Sequence, residues 1–242
     1  MLRLWSRGDD WVSNQIYWRG WSGYEPETAA LFFRLAGRAR VTIDVGAYVG
    51  YYTLLAAHAN PKARVFAFEP LPAVFRRLES NVGRNRLSNV TCLPFAVGSK
   101  EELREFYHVP VELPTSSSLS FEFMKTAPSL AVSRVRVIVL DRFVTERGVE
   151  AVDLVKIDTE STEPDVLRGM GEILARHRPT IVCEVLAHRG AETSLEELLG
   201  PLGYNFYLLT PAGPALRDHV EGHPEWLNYL FTPLPPEAVS RL

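Results

Sequence analysis

A carboxylate and a pair of glycines stand together at one strand-to-helix junction of this chain, and a second carboxylate closes the following strand. The segment Val41-Thr-Ile-Asp44-Val-Gly46-Ala47-Tyr48-Val-Gly50-Tyr51-Tyr-Thr53 reads as a strand, a tight turn and the start of a helix. Glycines in such a turn let the backbone bend sharply and approach a ligand with no Cβ in the way. The amides at the helix start then face the crevice. The next strand ends Val65-Phe-Ala-Phe-Glu69-Pro70, and a carboxylate at that place accepts hydrogen bonds from a ribose diol. Dinucleotide sites use G-x-G-x-x-G, and the middle glycine that admits a pyrophosphate is missing here. Asp44 would repel phosphate but suits an ammonium or sulfonium group. That favours S-adenosylmethionine over a nicotinamide dinucleotide. A tight turn without a ligand is the bland alternative.

A second cluster lies further on, in Lys156-Ile-Asp158-Thr-Glu160-Ser-Thr-Glu163, followed by Cys183-Glu184-Val-Leu-Ala-His188. A lysine in a buried strand is rarely tolerated unpaired. Lys156, Asp158 and Glu160 share period-2 parity and point to one side if the strand runs on. A basic group with carboxylates at a strand's carboxyl end falls in the crevice where open α/β sheets bind ligands. The competing readings are a structural Lys156–Asp158 ion pair, and a Glu163 that merely complements a helix dipole. Glu184 also reads as an outward strand end and His188 as a loop residue. Asp158, Glu160 and Glu184 would suit a hard cation, but their spacing is not a diagnostic metal motif, and no metal is expected.

Positioning these groups calls for an alternation of strands and helices. Strand-length apolar runs occur at Val41–Val45, Arg64–Phe68, Val90–Leu93, Val152–Ile157, Thr180–Val185 and Asn205–Leu209. Helical patterns fall at Gly50–Ala59, Pro72–Asn85, Pro164–Ala175 and Ser194–Leu199. This pattern predicts a parallel sheet with crossover helices on both faces. Two β-like runs, Glu101–Val109 and Val135–Val144, interrupt it and predict an inserted hairpin over about 100–145, with a loop at Pro114–Ser120 that closes over the ligand or is only the tip. Trp226–Phe231 predicts an antiparallel final strand. Residues 1–40, with a helix from Pro26 and four of the five tryptophans, read as a cap ahead of a domain spanning 41–242. The cap's aromatics suit packing over the sheet end, a lid over an acceptor, or a homo-oligomer interface.

Composition narrows the class. With 46% hydrophobic and 23% charged residues, the 242-residue chain is neither disordered nor fibrous. A net charge of −3 gives no footprint for nucleic acid or an anionic membrane. Arg76, Arg77, Arg84 and Arg86 read as a solvated helix face. Cys92 and Cys183 lie in apolar runs and read as buried strand thiols. With no apolar leader and no membrane-length run, a cytoplasmic protein is expected.

The ordered set Ile-Asp44-Val-Gly46-Ala-Tyr-Val-Gly50-Tyr-Tyr-Thr, Phe-Glu69-Pro70, Ser116-Ser-Ser-Leu119 and Val-Asp-Leu-Val-Lys156-Ile-Asp158-Thr-Glu160 resembles the FkbM family of S-adenosylmethionine-dependent methyltransferases. The resemblance covers roughly Val41 to Leu186. It implies a class I methyltransferase fold, a Rossmann-like three-layer α/β architecture on a mostly parallel seven-stranded sheet with an antiparallel last strand. It implies O-methylation of a hydroxyl on a sugar or natural-product small molecule. Asp44, Gly46 and Gly50 would surround the methionine portion, with Ala47, Tyr48, Tyr51 and Thr53 completing that turn. Glu69 and Pro70 would meet the ribose, and Phe95, Ala96 and Val97 the adenine. The base that takes the hydroxyl proton would be His188, or else Asp158 or Glu160. Lys156 would hold the carboxylates or stabilise an alkoxide, and Glu184 would orient the base or bind a substrate hydroxyl. The family's Gly-Ala after the Glu is Ser161-Thr162 here, which keeps a non-catalytic adenosyl-binding module in view beside a nicotinamide oxidoreductase. Nucleic-acid methylation is disfavoured, because no Asp/Asn-Pro-Pro-aromatic motif follows the fourth strand.

Overall fold

A computed structural model describes residues 2–187 and 190–242. The strands are β1 (Val41–Val45), β2 (Arg64–Phe68), β3 (Val90–Leu93), β4 (Ala96–Val97), β5 (Glu102–His108), β6 (Ser117–Ser118), β7 (Ala131–Ile138), β8 (Leu154–Ile157), β9 (Thr180–Glu184), β10 (Asn205–Thr210), β11 (Gly213–Arg217) and β12 (Asn228–Thr232). The helices are α1 (Trp11–Arg19), α2 (Pro26–Ala36), α3 (Tyr51–Ala59), α4 (Pro72–Arg84), α5 (Phe121–Met124), α6 (Leu140–Glu146), α7 (Glu163–Arg168), α8 (Gly171–Arg176), α9 (Ala191–Leu199) and α10 (Pro236–Val239).

The main sheet runs β11-β10-β12-β9-β8-β1-β2-β3. Its central strands pair in parallel, and β12 inserts antiparallel between β9 and β10. β1 and β8 are buried along their whole length because helices cover both faces. Ile43, Val155, Ile181 and Phe66 face one core with α6, α7, α8 and α9. Val65, Leu154, Val182 and Leu230 face the other, under α1, α2 and α3. Parity therefore turns Asp44, Glu69, Lys156 and Glu184 toward the α2–α3 side.

Seven of the eight strands make the expected pattern, and β11 adds an eighth. It hairpins onto β10 alone, so Pro214 sits on an edge where its missing N–H breaks no ladder. A smaller sheet, β4-β7-β5-β6, carries the antiparallel β5–β7 pair. The Val135–Val144 run is not strand throughout. It becomes helical at Leu140, where Leu140 and Val144 reach the core with Phe143 against it, at i, i+3, i+4 spacing. The expected Pro164–Ala175 helix is broken in two. The break falls at Met170, whose φ −128° and ψ 30° leave the helical region, and Gly169 before it tolerates the Gly98 carbonyl oxygen that a Cβ would meet at 2.1 Å.

The N-terminal segment is anchored rather than loose. The Arg77 guanidinium stacks over Trp5 at 4.3 Å and donates two hydrogen bonds to the Asp9 carboxylate, at 3.1 and 2.8 Å. Arg77 is thus buried, a correction to the solvated-face reading of that arginine run. Of the cysteines, Cys183 is buried and Cys92 half-buried. Among the described residues no helix is long and apolar enough to cross a membrane.

Candidate functional site

Register brings the candidate groups to one edge. Val45 pairs with Phe68 and Ile157, and Ile157 with Cys183. The next residue on each strand, Glu69, Gly46, Asp158 and Glu184, therefore forms a row across four neighbouring strand ends. These residues line one cavity, together with Asp44, Ala47, Tyr48, Tyr51, Pro70, Phe95, Ala96, Val97, Lys156 and Glu160. Gly50 and Thr53 stand behind that wall, where Gly50 caps α3 and Thr53 braces Asp44.

The β1–β2 side is a set of prepared acceptors. Gly46 has φ +81°, and a Cβ there would sit 1.8 Å from the Asp158 carbonyl oxygen. Only glycine allows that crossing. The turn that follows aims the Tyr48 amide at Glu69 Oε2, 3.1 Å away, while the Leu71 amide donates to Oε1 at 2.9 Å. Each carboxylate oxygen keeps acceptor capacity for a further donor. Burial pushes Glu69 up to about 7 against those two hydrogen bonds. Asp44 accepts from Thr53 Oγ1 at 2.5 Å, and burial pushes it up to about 6. Phe68, Pro70, Phe95, Ala96 and Val97 give the adjoining wall an apolar surface suited to a flat ring.

The β8–β9 side is built differently. Lys156 is fully buried, and its Nζ donates to Asp158 Oδ2 at 2.9 Å. Neighbouring carboxylates, chiefly Asp158 and Glu25, hold it as an ammonium ion despite its burial. β8 ends at Ile157, so the parity expected to carry on to Glu160 stops there. Glu160 and Ser161 take φ +56° and +78°, and the Glu160 carbonyl accepts from Ser118 Oγ at 2.6 Å. Glu163 does more than complement a helix dipole. Its Oε1 accepts from Thr159 N, Thr159 Oγ1 and Ser161 N at 3.0–3.1 Å, tying the whole turn together. Glu184 is 8% exposed, and its Oε2 has no hydrogen-bond partner among the described residues. Burial, then the Asp158 and Glu160 charges, pushes it well above the carboxylate range. His188 lies outside the described residues. Among those residues no group of three or more His, Cys, Asp or Glu is arranged to hold a metal ion.

A lid is one reading of the aromatic N-terminal segment, but the sequence places none of its residues among the site residues. Tyr52 and, from the N-terminal segment, Trp11 and Tyr24 also line the cavity. Trp21 stacks on Tyr51 at 5.7 Å, and the Tyr51 hydroxyl donates to the Trp21 carbonyl at 2.5 Å. The tryptophan density ahead of β1 was the available signal.

A family model for the methyltransferase FkbM domain matches residues 44–234. The chain is 29% identical over 184 residues to the AMB antimetabolite synthetase AmbE of Pseudomonas aeruginosa, a match covering 64% of this chain and 9% of AmbE. It is 28% identical over 200 residues to the 31-O-demethyl-FK506 methyltransferase FkbM of Streptomyces tacrolimicus, covering 72% of this chain and 75% of that one. The crystal structure of a methyltransferase FkbM from Methylobacillus flagellatus superposes with a TM-score of 0.52 at 17% identity, over 80% of this chain and 43% of the other. The chain thus spans a small part of AmbE and under half of the crystallised protein.

Proposed function

The chain belongs to the FkbM methyltransferase family, and from that premise we propose that it transfers the methyl group of S-adenosylmethionine to a hydroxyl oxygen of a small molecule such as a sugar or a natural product. The observation that carries this reading is the row of strand ends. Two hydrogen-bonded carboxylates and an apolar wall adjoin a buried Lys–Asp pair and a glutamate with one oxygen unpartnered among the described residues, in a single cavity.

The residues on the β1–β2 side fit the donor. Glu69 would accept the ribose hydroxyls, since its amide bonds leave acceptor capacity toward the cavity. Asp44, Gly46 and Ala47 would meet the cationic methionine end, and Phe95, Ala96 and Val97 the adenine. When bound, the donor supplies a methyl group already activated by its sulfonium. The protein's share is then to position a nucleophile in line and take its proton. Glu184 supports that proton-taking role best. It lines the cavity, one of its oxygens is unpartnered, and its affinity for a proton is raised. Lys156 and Asp158 would orient the acceptor hydroxyl beside it. Oxygen methylation is further supported by the relative that acts on 31-O-demethyl-FK506. The 1–40 segment would act as a cap, since Trp11 and Tyr24 line the cavity.

The test is transfer of labelled methyl from the donor to hydroxylated sugars and polyketides, with donor binding measured separately. Transfer to an acceptor hydroxyl that is lost in Glu184→Gln supports the reading. Donor binding without transfer to any acceptor would favour a binding module.

A further inference from the structure

Glu25 lies ahead of the matched region, at the junction of the α1–α2 loop with α2. Its backbone takes the left-handed conformation, φ 43° and ψ 57°, directly before Pro26. This is an uncommon place for a side-chain-bearing residue, and strain of this kind collects at functional sites. Nor is Glu25 used as a helix cap, for its side chain makes no capping bond to α2. The carboxylate instead turns inward, where Oε2 accepts from the Tyr52 hydroxyl at 2.5 Å. Asn228 of β12 faces the same carboxylate.

The Tyr52 ring that carries this hydroxyl also lies beneath Lys156, whose Nζ is 5.0 Å from the ring centroid. Lys156 in turn donates to Asp158 at the cavity wall. A continuous arrangement therefore runs from Glu25 through Tyr52 and Lys156 to Asp158. A fully buried ammonium needs compensation beyond one partly exposed carboxylate, and the side chain of Asp158 is 23% exposed. Glu25, held at the Tyr52 hydroxyl, adds negative charge near Lys156, although burial raises its own proton affinity.

We propose that Glu25 is a positioning residue of this site, holding Tyr52 against Lys156 so that the Lys156–Asp158 pair stays fixed at the cavity wall. The N-terminal segment then completes the charge arrangement of the cavity as well as covering it. The inference rests on the cavity reading given above, but its test needs neither donor nor acceptor. The groups that act on Lys156 are Asp158 beyond its own strand, Asp44 from β1, Cys183 and Glu184 from β9, Tyr52 from α3, and Glu25.

The chain contains only Lys62, Lys100, Lys125 and Lys156, so the ¹³Cε signals of lysine-labelled full-length protein are few and assignable, that of Lys156 by its loss in Lys156→Met. In the wild type, Lys156 should remain charged through the range near pH ~10.4 where ordinary lysines titrate. In Glu25→Gln its midpoint should fall toward the range in which the other three lysines titrate. Tyr52→Phe, which keeps the ring but removes the hydroxyl that holds Glu25, should move it the same way and decides the matter if Glu25→Gln does not fold. A wild-type Lys156 that titrates with the other lysines, or a midpoint unmoved in the folded variants, overturns the proposal. Failure of the cavity reading would appear separately, as absent donor binding by the wild type.

Discussion

The two halves of the cavity solve the same problem, a carboxylate at a strand end, in opposite ways. At the ends of β1 and β2 the carboxylates are braced by short-range groups of the turn itself, as Glu69 is by the Tyr48 and Leu71 amides and Asp44 by Thr53. At the ends of β8 and β9 the charges depend on distant or strained partners. Lys156 is balanced from the N-terminal segment, Glu160 sits in a left-handed turn, and a Glu184 oxygen is unpartnered among the described residues. The first half is fixed before any ligand arrives. Burial displaces the proton affinity of carboxylates in both halves, but only the second leaves a carboxylate oxygen without a hydrogen-bond partner among the described residues. On the proposed reading the rigid side would receive the methyl donor and the other side the acceptor.

The sharpest way to break this contrast is to alter one half and measure both. Glu184→Gln should lower kcat by about 10²–10⁴-fold, the usual share of a general base, while donor affinity stays within about twofold. Equal losses in both would mean that the halves are not separable. Gly46→Ala should act across the boundary, because its Cβ meets the Asp158 carbonyl oxygen at 1.8 Å. A loss of about 3 kcal/mol in denaturant unfolding is expected, of the size that forced backbone strain produces. Little change would show that the crossing of the two turns is looser than described. Glu69→Ala should weaken donor binding by about 10- to 100-fold, the worth of at least one hydrogen bond to a charged group, without moving kcat at saturating donor.

The smallest effect concerns pH. Asp44 and Glu69 are raised to about 6 and about 7, so the folded chain keeps protons that the unfolded chain has released. Their contribution to stability is full below the ordinary carboxylate range and is lost as pH rises through those values. The ligand-free Tm should thus fall by a few degrees between pH ~5 and ~8. The rise in Tm that the donor produces should grow over the same interval, because the donor's cation and hydroxyls favour the ionised carboxylates. Parallel changes in both would contradict the role given to these groups.

Much of the first half was legible in the sequence, and the reason is physical. A parallel strand, a glycine turn and a helix are consecutive in the chain, so Asp44, Gly46 and Glu69 follow from local spacing and parity. The second half was legible only in part. Lys156 and Asp158 stood out as charges in an apolar run, but the turn at Glu160 ended the parity that seemed to include it. Glu25 gave no local signal, because its partners Tyr52 and Lys156 lie far along the chain. Arg77 was misread for the same reason, since the Asp9 and Trp5 that bury it belong to a distant segment. The eighth strand escaped notice because Gly213-Pro214 resembles a loop until β10 offers it an edge.

The central claim is that the braced carboxylates at the ends of β1 and β2 receive an adenosyl methyl donor. Calorimetry with S-adenosylhomocysteine on ligand-free wild type and on Glu69→Ala tests it most directly. Saturable one-to-one heat from the wild type, sharply weakened in the variant, is the predicted result. Equal binding by both proteins, or no heat from the wild type while a reduced nicotinamide dinucleotide binds, would contradict it.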